Sequence, residues 1–135
     1  MASGVWLAAA ALVLPGGAFA KGDCLEYEQP GVEFTGSVAA VDSRRTGKRI
    51  RYWVLRLPSP VCIERGNAKA DAAESNVREI QLAFAEDSPY YNIYKSVVDG
   101  RSSFKVTGTL EHSRAAHPLR KVILRVEDFV PRSRQ

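Results

Sequence analysis

Phe34-Thr35-Gly36-Ser37-Val38 and Val106-Thr107-Gly108-Thr109-Leu110 are two versions of one pattern, a glycine at the centre of an alternating apolar and polar run. That alternation has the period of two expected of a strand with one buried face. Glycine weakens a strand interior, so it is used where the strand must bend sharply or bulge. Its recurrence predicts a small sheet that curls on itself.

Working outward, residues 32–41 read as strand one, followed by turn formers in Asp42-Ser43-Arg44-Arg45-Thr46-Gly47-Lys48. Ile50 to Leu57 is strand two, with both faces partly apolar. Pro58-Ser59-Pro60 lacks two backbone N–H donors, so the ladder should stop there and leave Val61-Cys62-Ile63 as an edge continuation at best. Glu64 to Asn76 is polar and reads as a mobile excursion, and Ile80, Leu82 and Phe84 then mark strand three. Ser88-Pro89 opens a predicted short helix carrying Tyr91, Tyr94 and Val98 at helical spacing, with Gly100 to end it. Aromatics so spaced belong to a core more often than to a ligand site. Phe104 to Leu110 and Val122 to Val126 are strands four and five. This order predicts a mainly β, small α+β domain over 32–131. It is a five-stranded OB-fold-like barrel with one helix between strands three and four, and an open α+β sheet is the alternative.

At 135 residues, 45% hydrophobic and 25% charged, the chain suits one packed domain and excludes a large multi-domain enzyme. Residues 1–20 contain no Asp, Glu, Lys or Arg, and their apolar run from Val5 to Leu14 is broken by Pro15-Gly16-Gly17. It is too short to cross a membrane and of the length of a signal peptide's apolar region. Ala18-Phe19-Ala20 supplies the small-x-small site, so cleavage is expected between Ala20 and Lys21, giving a periplasmic or secreted protein. Met1-Ala2-Ser3-Gly4 departs from the pattern by offering no basic side chain, and a buried N-terminal helix is the competing reading. Cys24 and Cys62 are the only cysteines. In an oxidising compartment they predict one disulfide tying the 21–31 segment to the domain, worth ~4 kcal/mol by chain entropy; two buried thiols are the alternative. Residues 132–135 form a short basic tail.

Several of these runs resemble the bacterial exported domain of unknown function 4431. The likeness lies in Tyr52-Trp53-Val54-Leu55-Arg56-Leu57-Pro58-Ser59-Pro60-Val61-Cys62-Ile63, Glu79-Ile80-Gln81-Leu82, Val106 to Leu110 and His112 to Val122. The family's opening Cys-Leu-x-Tyr matches Cys24-Leu25-Glu26-Tyr27. The resemblance implies an exported compartment and a barrel fold, with no chemistry attached. Its His-rich segment before the last strand is thinned here to His112-Ser113-Arg114-Ala115-Ala116-His117-Pro118.

The formal charge is +4, and the excess is local. Arg44, Arg45, Lys48, Arg49 and Arg51 face one acid, Asp42, while Arg114, Arg120, Lys121 and Arg125 follow His112 with no acid among them. These are the loops joining strands one to two and four to five, which border the ligand face of an OB-fold. The candidate ligand residues are therefore Arg45, Lys48, Arg49, Arg51, Arg114, Arg120 and Lys121, with Trp53 as a stacking surface. Such clusters are as often merely solvated.

Catalytic signals are thin. Ser113, His117 and Asp128 have the residue types of a triad, but no nucleophile elbow surrounds the serine. His112 and His117 are weak metal candidates, short of the three or four ligands a zinc site uses. The expectation is a non-enzymatic binding module without cofactor, taking an anionic envelope component such as a glycan or lipid head group. Nucleic acid fits that compartment poorly. A protein-interaction module, such as an inhibitor or immunity protein for an envelope enzyme, is the alternative.

Overall fold

The computed structural model describes residues 23–89, 103–115 and 118–132, and these contain no helix. The predicted signal peptide, the predicted helix beyond Pro89, His117 and most of the basic tail lie outside them.

Five strands follow one another as β1 (Val32–Arg45), β2 (Lys48–Ile63), β3 (Glu74–Ala83), β4 (Ser103–His112) and β5 (Val122–Pro131). They close into a barrel in the order β1-β2-β3-β5-β4, so the open sheet is excluded. All pairings are antiparallel except β3 with β5, where Gln81, Leu82 and Ala83 run alongside Ile123, Leu124 and Arg125. Inward-facing Val38, Leu55, Ile80, Phe104, Val106, Leu110 and Leu124 are fully buried, and Phe104 stacks on Phe129 with centroids 4.5 Å apart. Removing such apolar surface from water is the main stabilising term of a domain this size.

The two strand glycines occupy equivalent positions. A Cβ on Gly36 would run into the Arg56 carbonyl oxygen, and one on Gly108 into that of Arg125. A register shift sits at Thr107/Gly108, where β4 bends against β5. Glycine is required at both positions by backbone crowding, and the bulge that the sequence pattern implied is found at Gly108.

All five strands differ in their limits from the sequence expectation: β4 and β5 simply run on to His112 and Pro131, and the others differ for identifiable reasons. β1 runs on to Arg45, and β2 begins at Lys48, because Thr46 and Gly47 both take positive φ (47° and 76°) and close a two-residue hairpin. β2 also continues through Pro58-Ser59-Pro60 to Ile63. Its register with β3 shifts between Arg56 and Val61, so neither proline is asked for a ladder bond to β3. Ile63 is 1% exposed and lies between Glu74 of β3 and an isolated parallel bridge to Leu25, so it is no edge residue. Finally, the supposed polar excursion ends early: Glu74 to Asn76 belong to β3, and Asp71 is buried.

The N-terminal segment is fastened to this end of β2. Cys24 and Cys62 form a disulfide with Cα atoms 4.8 Å apart. The Leu25 N–H donates to the Cys62 carbonyl (2.9 Å) and the Glu64 N–H to that of Leu25 (2.8 Å). Tyr27 then donates its hydroxyl to the Ala72 carbonyl at 2.8 Å.

Candidate functional site

The most cationic feature is the β1–β2 hairpin. Val41–Arg45 and Lys48–Tyr52 pair with each other and, among the described residues, with no other strand, so they form a two-stranded ribbon leaving the barrel. Its register places Arg44 opposite Arg49 and Arg45 opposite Lys48. Directly opposed like charges destabilise a ladder, and here there is one such pair on each face of the ribbon, since successive residues point to opposite sides.

Asp42 is the ribbon's single acid. It accepts from Arg49 Nη2 at 2.8 Å and from Arg51 Nε at 3.1 Å. These hydrogen bonds, Arg49 first, hold its carboxyl below the ordinary 3.8. All three side chains are exposed, so the contacts add little stability and chiefly orient the guanidiniums. A shallow depression of about 350 Å³ lies among Asp42, Ser43, Arg44 and Arg49.

The candidates from the β4–β5 loop do not join this cluster. Arg120 donates through Nη1 to the Tyr52 hydroxyl and the Leu119 carbonyl, both at 2.8 Å, and its guanidinium carbon lies 5.6 Å from the Tyr52 ring centroid. Glu79 lies 3.4 Å from Arg120 and 3.2 Å from Arg56, so one carboxylate serves two cations on the barrel wall. Arg114 is placed elsewhere again, 3.7 Å from Asp71 on the β2–β3 loop. Lys121 is exposed, and its carbonyl accepts from Ser113 N–H at 2.7 Å. Trp53 is half-buried and packs against the core. The aromatic that Arg120 meets is Tyr52, the neighbour of Trp53.

His112 lies at the opposite end of β2 from the ribbon. Its Nδ1 is 2.9 Å from the Ser113 carbonyl and its Nε2 3.1 Å from Glu74 Oε1, while Tyr27 meets the ring edge-on with centroids 6.0 Å apart. The Tyr27 phenol is pushed from 10.0 up to about 12, first by burial and then by the charges of Glu74 and Asp71. No three acidic, His or Cys side chains converge as a metal site among the described residues.

Sequence reasoning missed Tyr52, Glu79 and Asp71. The first was hidden by Trp53 beside it. Glu79 shows its role only once β2–β3 pairing sets it opposite Arg56. Asp71 has no local signal in a polar run. No protein-family model and no curated protein matches this chain, so the likeness to the exported domain of unknown function rests on the quoted residues alone.

Proposed function

We propose that this protein is an exported, non-enzymatic binding module of the OB type, cut after Ala20, that takes a multiply charged anionic envelope component on the β1–β2 ribbon. The observation that carries the reading is the cross-strand register that sets Arg44 opposite Arg49 and Arg45 opposite Lys48 in a ribbon whose sequence holds one acid, Asp42. A bound phosphate or sulfate group offsets that repulsion, so ligand binding and ribbon order reinforce each other. The disulfide agrees with an oxidising compartment. The strand order, with a long β1–β2 hairpin, agrees with the OB topology.

Titration with tripolyphosphate, and with vesicles containing an anionic phospholipid, at low and high salt tests the proposal. The double variant Arg44→Glu/Lys48→Glu should weaken binding by about tenfold or more and flatten its salt dependence, each basic residue near an anionic surface being worth about 1 kcal/mol. Lys69→Glu, on the β2–β3 loop, should change little. Equal sensitivity at Lys69, or no binding at low salt, overturns the ribbon as the site.

A further inference from the structure

A second cavity lies at the other end of β2, and its chemistry is opposite. It measures about 420 Å³ and is bounded by the N-terminal segment, the β2–β3 loop and Arg114. Four carboxylates line it, those of Glu26, Glu28, Glu64 and Asp71, against the guanidiniums of Arg65 and Arg114.

Asp71 is what separates this cavity from an ordinary acidic patch. Its side chain is only 8% exposed. The loop fixes it by its backbone: Asp71 N–H donates to the Ala68 carbonyl at 3.0 Å, and its own carbonyl accepts from Gly66 N–H at 2.8 Å. Gly66 is obligatory, because a Cβ there would meet the Asp71 side chain at 2.6 Å. Yet among the described residues no donor makes a hydrogen bond to the carboxylate. Its one neighbouring cation, Arg114 Nη2, stands 3.7 Å away on a side chain 67% exposed. A buried carboxylate held this loosely is under-satisfied, and leaving such a group without donors is costly. At the mouth, Glu28 is engaged by Arg125 at 3.4 Å, whereas Glu26 and Glu64 make no ion pair among the described residues.

We propose that this cavity binds a basic group, a guanidinium or alkylammonium, seated on the Asp71 carboxylate in the place Arg114 approaches. A guanidinium can give a carboxylate two parallel charge-assisted hydrogen bonds, which the arrangement at 3.7 Å does not. Four carboxylates against two guanidiniums leave the lining net negative, which disfavours an anion. A tightly chelated metal lacks three converging ligands among the described residues. The free volume exceeds what a single guanidinium head fills, so the ligand is an extended base with a second cationic end for Glu26 or Glu64. The ribbon of the same chain is remote from this site. Lys48 opens β2 and Ile63, beside the cavity, closes it.

Calorimetry with agmatine, which carries a guanidinium and an ammonium on a short alkyl chain, tests this on the whole protein. Asp71→Asn keeps the shape and removes the charge, and should weaken binding about tenfold or more, a hydrogen bond to a charged group being worth about 1.5–3 kcal/mol. Arg114→Gln, at an exposed position that puts no fold at risk, should tighten binding several-fold by removing the competitor. Lys105→Gln, on β4 and outside the lining of the cavity, should leave it unchanged. Sedimentation in the same buffers separates two sources of the base: assembly dissolved by agmatine places a second copy's basic ribbon in the cavity, and a monomer throughout leaves a free small base. No heat with agmatine from folded protein, or an Arg114→Gln variant that binds more weakly, overturns the proposal.

Discussion

The two ends of β2 are built by opposite means. Its first residues stand in a ribbon held by one ladder, one hairpin turn and exposed ion pairs to Asp42. Its last residues are held by a disulfide, a bridge to Leu25, the Tyr27 to Ala72 hydrogen bond and the His112–Glu74 contact. Charge crowding is tolerated at the first end because water and salt screen it. At the second end Glu74 is shielded and set against His112, while Asp71 is buried and placed by the backbone bonds of its loop, so geometry takes over from screening. One strand thus carries a plastic cationic end and a rigid acidic one.

The contrast breaks most visibly at the disulfide. Replacing Cys24 and Cys62 by Ala should cost about 2–5 kcal/mol, read as a fall in denaturation midpoint, the bridge spanning 38 residues of sequence. Tripolyphosphate binding should persist in that variant below its melting temperature. A loss below about 1 kcal/mol would mean the strapped end is not the more rigid one.

Tyr27→Phe comes next. It removes the hydrogen bond to Ala72 and should cost about 1 kcal/mol at neutral pH. The folded-state phenol titrates above its unfolded value, so Tyr27 contributes stability that is complete below pH 10.0 and lost as pH rises towards about 12. Wild type and variant should therefore converge in stability across that window. Parallel alkaline curves would show that Tyr27 is not buried as described.

The smallest effect belongs to the ribbon. Lys48→Glu converts the Arg45–Lys48 pair into opposite charges and should stabilise by roughly 0.2–1 kcal/mol, most at low salt. Polyanion binding should weaken in the same variant. Stability and binding moving together would show that the opposed cations do not repel at a cost to the fold.

What the sequence made legible was what local pattern determines. Gly36 and Gly108 announced the curl because each sits in an unambiguous alternation, and the cysteine pair followed from count and compartment. The prolines of β2 misled because their effect depends on register, and the shift after Arg56 that makes them harmless is tertiary. The basic loops were visible as charge but not as places: pairing distributes Arg49 and Arg51 to the ribbon, Arg120 to the barrel wall and Arg114 to the opposite pole. Asp71 was invisible for the same reason. Its burial comes from a loop folding back through Gly66, which composition does not encode.

The barrel is closed, and among the described residues the flanks of the β1–β2 ribbon pair with no further strand. Exposed edges are templates on which further chains can add, and natural proteins guard them with cations that like-charged copies cannot approach. Arg44, Arg45, Lys48 and Arg49 stand where such a guard is needed. A variant that neutralises them to abolish ligand binding therefore also disarms the molecule against edge-to-edge aggregation, and its loss of solubility at high concentration should appear before any loss of fold.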